Sequence, residues 1–209
     1  DQSYFLYMLS QSQLQKTLFP LGNYLKSEIR EIATSLKLIN ANKSESQDIC
    51  FVTKGSYQTF IESHLNSNQQ IKSGNIVDQD GSILGQHNGI HNYTIGQRKG
   101  LNISYHCPLY VIKLNAAKNE VIVGTKDELA TNTFKIETIS LVNPDLFSPT
   151  KQYQIKVRYQ MVPFLATCNL LPNNTMVVTS TSPLKFISPG QSCVIYDNNH
   201  VIGGGIISQ

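Results

Sequence analysis

The apolar positions change their rhythm along the chain. Over the first fifty residues they recur with a helical period. In KSEIREIATSLKL, Ile29, Ile32, Ala33 and Leu36 fall on one face, the i, i+3, i+4, i+7 spacing of an amphipathic helix. Ser27 is its expected N-cap, and Glu28 suits a first turn whose N–H groups attract negative charge. Upstream, SYFLYML opens with Ser3 as an expected N-cap, and Ser10 and Gln13 stand in capping-box spacing. SYQTFIESHL, after Gly55, predicts one more short helix.

From Gly74 the period shortens to two. GNIVDQDGSILGQ predicts a hairpin, with Asp80-Gly81 at the turn, where positive φ angles are needed. LYVIKL and EVIVG predict a second pair joined through the polar stretch Asn115–Asn119. From about residue 133 short strands follow at regular spacing: FKIETISLV, KQYQIKVRY, FLATCNLL, MVVTSTS, QSCVIYD and VIGGGIIS. Pro144-Asp145, Pro172-Asn173-Asn174, Pro189-Gly190 and Asp197-Asn198-Asn199 separate them. Six such strands suit a small closed barrel, because closure removes exposed edges. The expected fold is α+β: helices over residues 1–55, a small, mostly β central domain over 56–130, and a six-stranded antiparallel β-barrel over 131–209.

Composition narrows this only slightly. The net charge of +3 is compatible with nucleic acid without requiring it. No apolar run approaches the ~18 residues of a membrane span, and no charged segment followed by an apolar one suggests a signal peptide. The chain opens on Asp1, not Met, at what reads as a helix start, so further sequence is expected upstream. Fifty helical residues are also marginal as a domain.

The four cysteines, Cys50, Cys107, Cys168 and Cys193, form no C-x-x-C pair and no zinc spacing with His. Without a secretion signal, free thiols in a reducing cytosol are the plain expectation. Cys168 alternates with Phe164, Ala166 and Leu170, and Cys193 shares a face with Ile195, so both are expected in a core. Cys107 precedes a proline and is expected in an extended loop. Cys50 differs. It stands between polar SESQD and apolar ICFV, with Lys43 upstream. A mobile thiol near a cation is a candidate nucleophile; a thiol buried at a strand start is the alternative.

Two basic stretches stand out. Arg98-Lys99, between Gly96 and Gly100, forms a backbone-permissive tip that could approach phosphates, or a solvated turn. In KQYQIKVRYQ, Tyr153, Ile155, Val157 and Tyr159 alternate with Gln154, Lys156 and Arg158. An aromatic ring beside a cation at a strand end suits an unstacked RNA base, although ordinary amphipathic alternation gives the same pattern. Gly203-Gly204-Gly205 has no helix after it, so it reads as a bulge or close-packing site and not as a phosphate loop. No glycine-rich fingerprint sits in a βαβ setting, which counts against a dinucleotide enzyme and, more weakly, against a cofactor-dependent methyltransferase.

Seven pieces in order resemble one family, the tRNA-specific 2-thiouridylases. They are Asp1-Gln2-Ser3-Tyr4-Phe5-Leu6, LFPLG at 18–22, SQDICFV at 46–52, YTIGQRKGL at 93–101, VRY at 157–159, PGQSCVIY at 189–196 and GGGII at 203–207. The resemblance implies an enzyme that adenylates C2 of the wobble uridine with ATP as co-substrate and then thiolates it with persulfide sulfur. It implies an N-terminal ATP-binding domain of the pyrophosphate-loop type, of which residues 1–55 would be the C-terminal helices. Cys50 inherits the persulfide role, with a distant partner cysteine and a transient disulfide between the two. The tRNA contacts carry over to Asp1, Gln2, Arg158, Tyr159 and Gln191; Arg98 and Lys99 match a family motif without an assigned role. The implied partners are the anticodon arm of tRNA and a sulfur-donor protein, such as a cysteine desulfurase or relay protein, in the cytoplasm or an organelle. Neither an SGG-type loop nor the first catalytic cysteine occurs in this sequence, so the chain alone is expected to be inactive. The rival reading is a stand-alone RNA-binding barrel in which Cys50 is structural. A methyltransferase would need a site for S-adenosylmethionine, and the sequence offers none.

Overall fold

The computed structural model describes residues 2–43, 57–65, 71–185 and 187–208, without the side chains of Tyr57 and Gln58. Two units result, residues 1–11 with 71–209 and residues 12–70. The helices are α1 (Ser3–Leu6), α2 (Gln11–Leu14), α3 (Lys26–Ser35) and α4 (Tyr57–His64).

Helix α3 forms where the periodicity places it, but it is capped differently. Leu25 is the extended residue before it, and the Glu28 carboxylate accepts the Leu25 N–H. Ser27 therefore lies inside the first turn. A glutamate at the third helical position reaches back to the entering backbone, so the helix does not depend on a serine at the boundary. The far end closes with Lys37 at φ 53°, where Leu38 N–H donates to Ala33 O and Lys37 N–H to Thr34 O. This left-handed stop is usually taken by glycine. No residue of α3 is buried, and Ile32 and Leu36 of its apolar stripe are exposed. Ser3 is likewise the first residue of α1 and not its cap; Gln2 precedes it.

The central region is a four-stranded sheet of β1 (Gly74–Val77), β2 (Ile83–His87), β3 (Tyr110–Asn115) and β4 (Glu120–Gly124). The expected hairpins β1–β2 and β3–β4 are both antiparallel. Gly81 takes φ 87° at the first turn, and Ser82 N–H donates to Asp78 Oδ1 at 2.7 Å. A parallel pairing of β1 with β4 joins the hairpins in the order β2-β1-β4-β3. Ile76, Leu101, Leu109, Val111, Val121 and Val123 form the core beneath the sheet. Buried His87 holds one edge of it. Its Nδ1 accepts from Gly89 N–H at 3.1 Å, which leaves Nε2 as the donor to Asn119 O at 3.1 Å.

The C-terminal strands are β5 (Thr131–Leu141), β6 (Gln152–Lys156), β7 (Phe164–Leu170), β8 (Met176–Leu184), β9 (Ser192–Asp197) and β10 (His200–Ile207). They close as β10-β5-β8-β7-β6-β9, the expected six-stranded barrel, with antiparallel neighbours throughout. Ile136, Tyr153, Ile155, Val157, Cys168, Met176, Cys193, Ile195 and Ile202 fill its interior. The Tyr153 hydroxyl is satisfied within the protein: Ser148 N–H donates to it at 2.7 Å, and it donates to Ser148 O at 3.1 Å. Burial would otherwise leave a costly unpaired group.

Strand β9 is buried from Cys193 to Tyr196 without alternation. Both its faces are covered: Cys193 and Ile195 point into the barrel, while Val194 and Tyr196 meet Tyr4 and Tyr7 of the α1 segment. The glycine run lies opposite. The ladder shifts register between Gly204 and Ile206, and a side chain on Gly204 would collide with the Cys193 carbonyl and the Tyr7 ring. The run is therefore the bulge and close-packing site that its sequence predicts.

Candidate functional site

Strand β6 carries the alternating sequence outward. Tyr153 and Ile155 are inside the barrel and Val157 is still buried, whereas Arg158 and Tyr159 lie past the strand end at the surface. The Pro189-Gly190 turn lies beside them. Gly190 takes φ 84°, its N–H donates to Ile207 O at 2.8 Å, and Ile207 N–H donates to Gln191 O at 2.8 Å. Gln191 is thereby tied to the last strand.

Arg158, Tyr159 and Gln191, predicted from separate stretches, line one open cleft of about 570 Å³. Tyr4, Gln160, Gly190 and Ser192 complete its wall. Tyr4 is anchored by its hydroxyl, which donates to Ser192 O at 2.7 Å. Burial pushes that hydroxyl up to about 12, with Arg158 acting in the opposite sense, so it stays a neutral donor. Outside the wall the rings continue. Phe5 lies 4.9 Å from Tyr159 and 5.4 Å from Tyr4, centroid to centroid. Phe5 is 61% exposed and Tyr159 38% exposed. Large aromatic faces left open beside a guanidinium cost solvation unless something stacks on them. The arrangement can hold an anionic ligand that presents a flat ring; among the described residues no cysteine or histidine lines it.

The other predicted residues are placed as follows. Gln2 is exposed just before α1, its carbonyl accepting Phe5 N–H at 3.0 Å, and it is not part of the cleft wall. Asp1 and Cys50 lie outside the described residues. Cys168 and Cys193 are fully buried free thiols, and Cys107 is half-buried. Burial pushes the Cys168 thiol up to about 12 and the Cys193 thiol well above its ordinary value, so both stay protonated and inert. Arg98 and Lys99 are exposed on the central region. Tyr4, Phe5 and Gln160 were not singled out from the sequence. SYFLY reads as ordinary helix interior, and only the docking of α1 on the barrel shows which of its rings remain open.

Three domain families match successive parts of the chain. The tRNA methyl transferase HUP domain matches residues 1–54, the tRNA methyl transferase PRC-barrel domain residues 58–125, and the aminomethyltransferase beta-barrel domain residues 131–207. Among curated proteins, the tRNA-specific 2-thiouridylase MnmA of Acidobacterium capsulatum is 41% identical over 99% of this chain and 57% of its own length. The chain belongs to the tRNA-specific 2-thiouridylase family. The enzyme of the same name from Nostoc punctiforme is 44% identical over 100% of this chain and 59% of its own length. The tRNA-specific 2-thiouridylase MnmA 2 of Clostridium tetani is 40% identical over 99% and 57%. The chain thus spans less than three fifths of the length of these 2-thiouridylases. The expectation of an α+β chain ending in a six-stranded barrel holds.

Proposed function

We propose that this chain is the portion of a tRNA-uridine 2-sulfurtransferase that carries the persulfide cysteine and part of the tRNA-binding surface. The observation that supports it most is the convergence of Arg158, Tyr159 and Gln191 on one cleft beside exposed aromatic rings. Arg158 would hold a phosphate, and Tyr159 with Phe5 would offer a face to an unstacked base of the anticodon arm. Gln2, just before α1, and Asp1, outside the described residues, would extend that contact.

The chemistry is assigned to Cys50. A thiolate there accepts sulfur from a donor protein such as a cysteine desulfurase or a relay protein. The terminal sulfur of the persulfide attacks C2 of the adenylated wobble uridine, and AMP leaves. A second cysteine, absent from this sequence, then attacks the Cys50 sulfur, breaking its S–S bond to the base and releasing 2-thiouridine; the resulting disulfide must be reduced before the next cycle. ATP is the co-substrate, and the SGG-type loop that would hold it does not occur here; isolated, the chain would bind tRNA without thiolating it. The division into residues 1–55, 56–130 and 131–209 and a cytoplasmic or organellar location belong to the same proposal. The spans of the three family matches support the division.

The test is 2-thiouridine formation by a polypeptide joining this chain to a family ATP-binding portion, wild type against Cys50→Ser, with ATP and a cysteine desulfurase. Loss of 2-thiouridine with tRNA binding retained is expected. Unchanged thiolation would remove Cys50 from the sulfur path. The second reading, an RNA-binding barrel without catalysis in which Cys50 is structural, is favoured by the barrel's own closed core and by a cleft built largely on it. It would stand if tRNA bound while no variant of Cys50 altered any modification.

A further inference from the structure

The central region has its own cleft, built from residues 98–109. It measures about 380 Å³ and is lined by Arg98, Asn102, Tyr105, His106 and Cys107 among others, with no acidic side chain among the described residues. The loop that carries Arg98 is fixed before any ligand arrives. Thr94 N–H donates to Gln97 Oε1 at 3.0 Å, and Gln97 Nε2 donates to Lys99 O at 2.9 Å. Gly96 N–H donates to Val111 O at 2.8 Å, and Val111 N–H returns a bond to Gln97 O at 2.9 Å. Gly96 and Gly100, at φ 86° and 80°, make the two bends that side chains would resist. Gln97 thus uses its side chain as an internal brace and pushes Arg98 and Lys99 out into solvent, where both are exposed. Among the described residues neither has an acidic partner.

The same cleft carries two aromatic rings. Tyr105 and His106 stack against each other at 4.2 Å with an interplanar angle of 35°, and Tyr105 is 43% exposed. Adjacent residues in an extended strand point apart, whereas here the loop brings two neighbouring rings to the same side. A braced arginine sharing a cleft with two exposed rings, without a carboxylate among the described lining residues, matches a phosphate joined to a base or ribose.

We propose that this cleft is a second RNA-binding site, which grips a backbone phosphate through Arg98 and stacks an exposed nucleotide on Tyr105 or His106. It rests on the proposed tRNA substrate and extends it: the barrel cleft and the central cleft would hold two separate stretches of one RNA. Two contacts joined by a stiff ligand raise affinity beyond either alone.

The experiment is tRNA binding by the 209-residue chain over a salt series, with Arg98→Ala, Tyr105→Ala, Tyr105→Phe and, separately, Arg158→Ala/Tyr159→Ala. Arg98→Ala is expected to weaken binding and to lower the slope of log affinity against log salt by about one, as loss of one phosphate contact requires. Tyr105→Ala should weaken binding about tenfold with the slope unchanged, because stacking releases few counterions. Tyr105→Phe should restore affinity, since it keeps the ring. Thermal melts equal to wild type would show that the loss is not one of folding. Wild-type affinity and slope in both alanine variants, with binding lost in Arg158→Ala/Tyr159→Ala, would overturn the second site and leave the barrel cleft intact. Variants that keep tRNA binding but lose association with a sulfur-donor protein would also overturn it, reassigning the surface to protein docking. Failure of the wild-type chain to bind tRNA at any salt would overturn both readings together.

Discussion

The barrel and the helical stretch before it treat their apolar residues in opposite ways. In the barrel, Ile136, Ile155, Met176, Ile195 and Ile202 are all fully buried, and strand β9 is covered on both faces. In residues 18–39, Leu18, Phe19, Leu21, Leu25, Ile32, Leu36, Leu38 and Ile39 are all exposed. Both sequences are patterned for burial, with period two in one and 3.6 in the other. The difference lies in what the chain supplies to meet them. A closed sheet is its own partner, because each inward side chain faces others from the same ring of strands. A single amphipathic helix has one stripe and needs another element to cover it. Periodicity therefore predicts which side chains need burial, and not whether the described residues provide it.

That contrast can be tested by substitution. Ile155→Ala should cost about 2–5 kcal/mol in denaturant unfolding, through lost transfer energy and the cavity left behind. Gly204→Ala should cost about 1–3 kcal/mol, because its new methyl meets the Cys193 carbonyl and lies 2.7 Å from the Tyr7 ring. It should also weaken tRNA binding, since pushing α1 away removes Tyr4 from the cleft; unaltered binding would separate the α1 segment from recognition. Tyr4→Phe should cost about 1 kcal/mol for the lost bond to Ser192 O.

The same hydroxyl gives a pH signature. Its folded value of about 12 lies above the ordinary value of 10. The unfolded chain therefore loses the proton first. Stability from this group is intact below about pH 10 and declines as pH rises toward 12. Tyr4→Phe should flatten that alkaline decline, and a profile identical to wild type would show that the buried hydroxyl does not contribute.

Thiol reactivity offers a further contrast within the same unit. In a Cys50→Ser background, a disulfide reagent should label half-buried Cys107 in the native protein, and Cys168 and Cys193 only after unfolding. Fast labelling of all three would mean that the barrel opens readily. The smallest effect is expected at the exposed helix: Leu36→Ser should change stability by no more than about 0.5 kcal/mol. A loss as large as that of Ile155→Ala would show that Leu36 is covered in solution and would erase the contrast.

The legible part of the candidate site was the part written in local pattern. Alternation along 153–159 places Arg158 and Tyr159 at a strand end, and Pro189-Gly190 marks the turn that carries Gln191. Their convergence depends on β6 pairing with β9 and on the 190–191 turn zipping to β10, pairings that no short window reveals. Phe5 and Tyr4 were missed for the same reason. A helical aromatic is exposed or buried according to what the helix docks against, and α1 docks on strand β9, almost two hundred residues later. Ser27 was misplaced as a cap because Glu28 already satisfies the entering N–H.

Local pattern carries the strands, the turns, the burial of Cys168 and Cys193, the close packing of the glycine run and the family. Each of these is set by side-chain period, by the φ demands of Gly and Asn, or by motifs in order. The parallel pairing of β1 with β4, the covering of β9 by α1, and the meeting of cation, ring and amide in one cleft emerge with the folded chain. These depend on contacts between residues far apart in the chain, whose loop-closure cost is met by the whole fold and is invisible to any one segment.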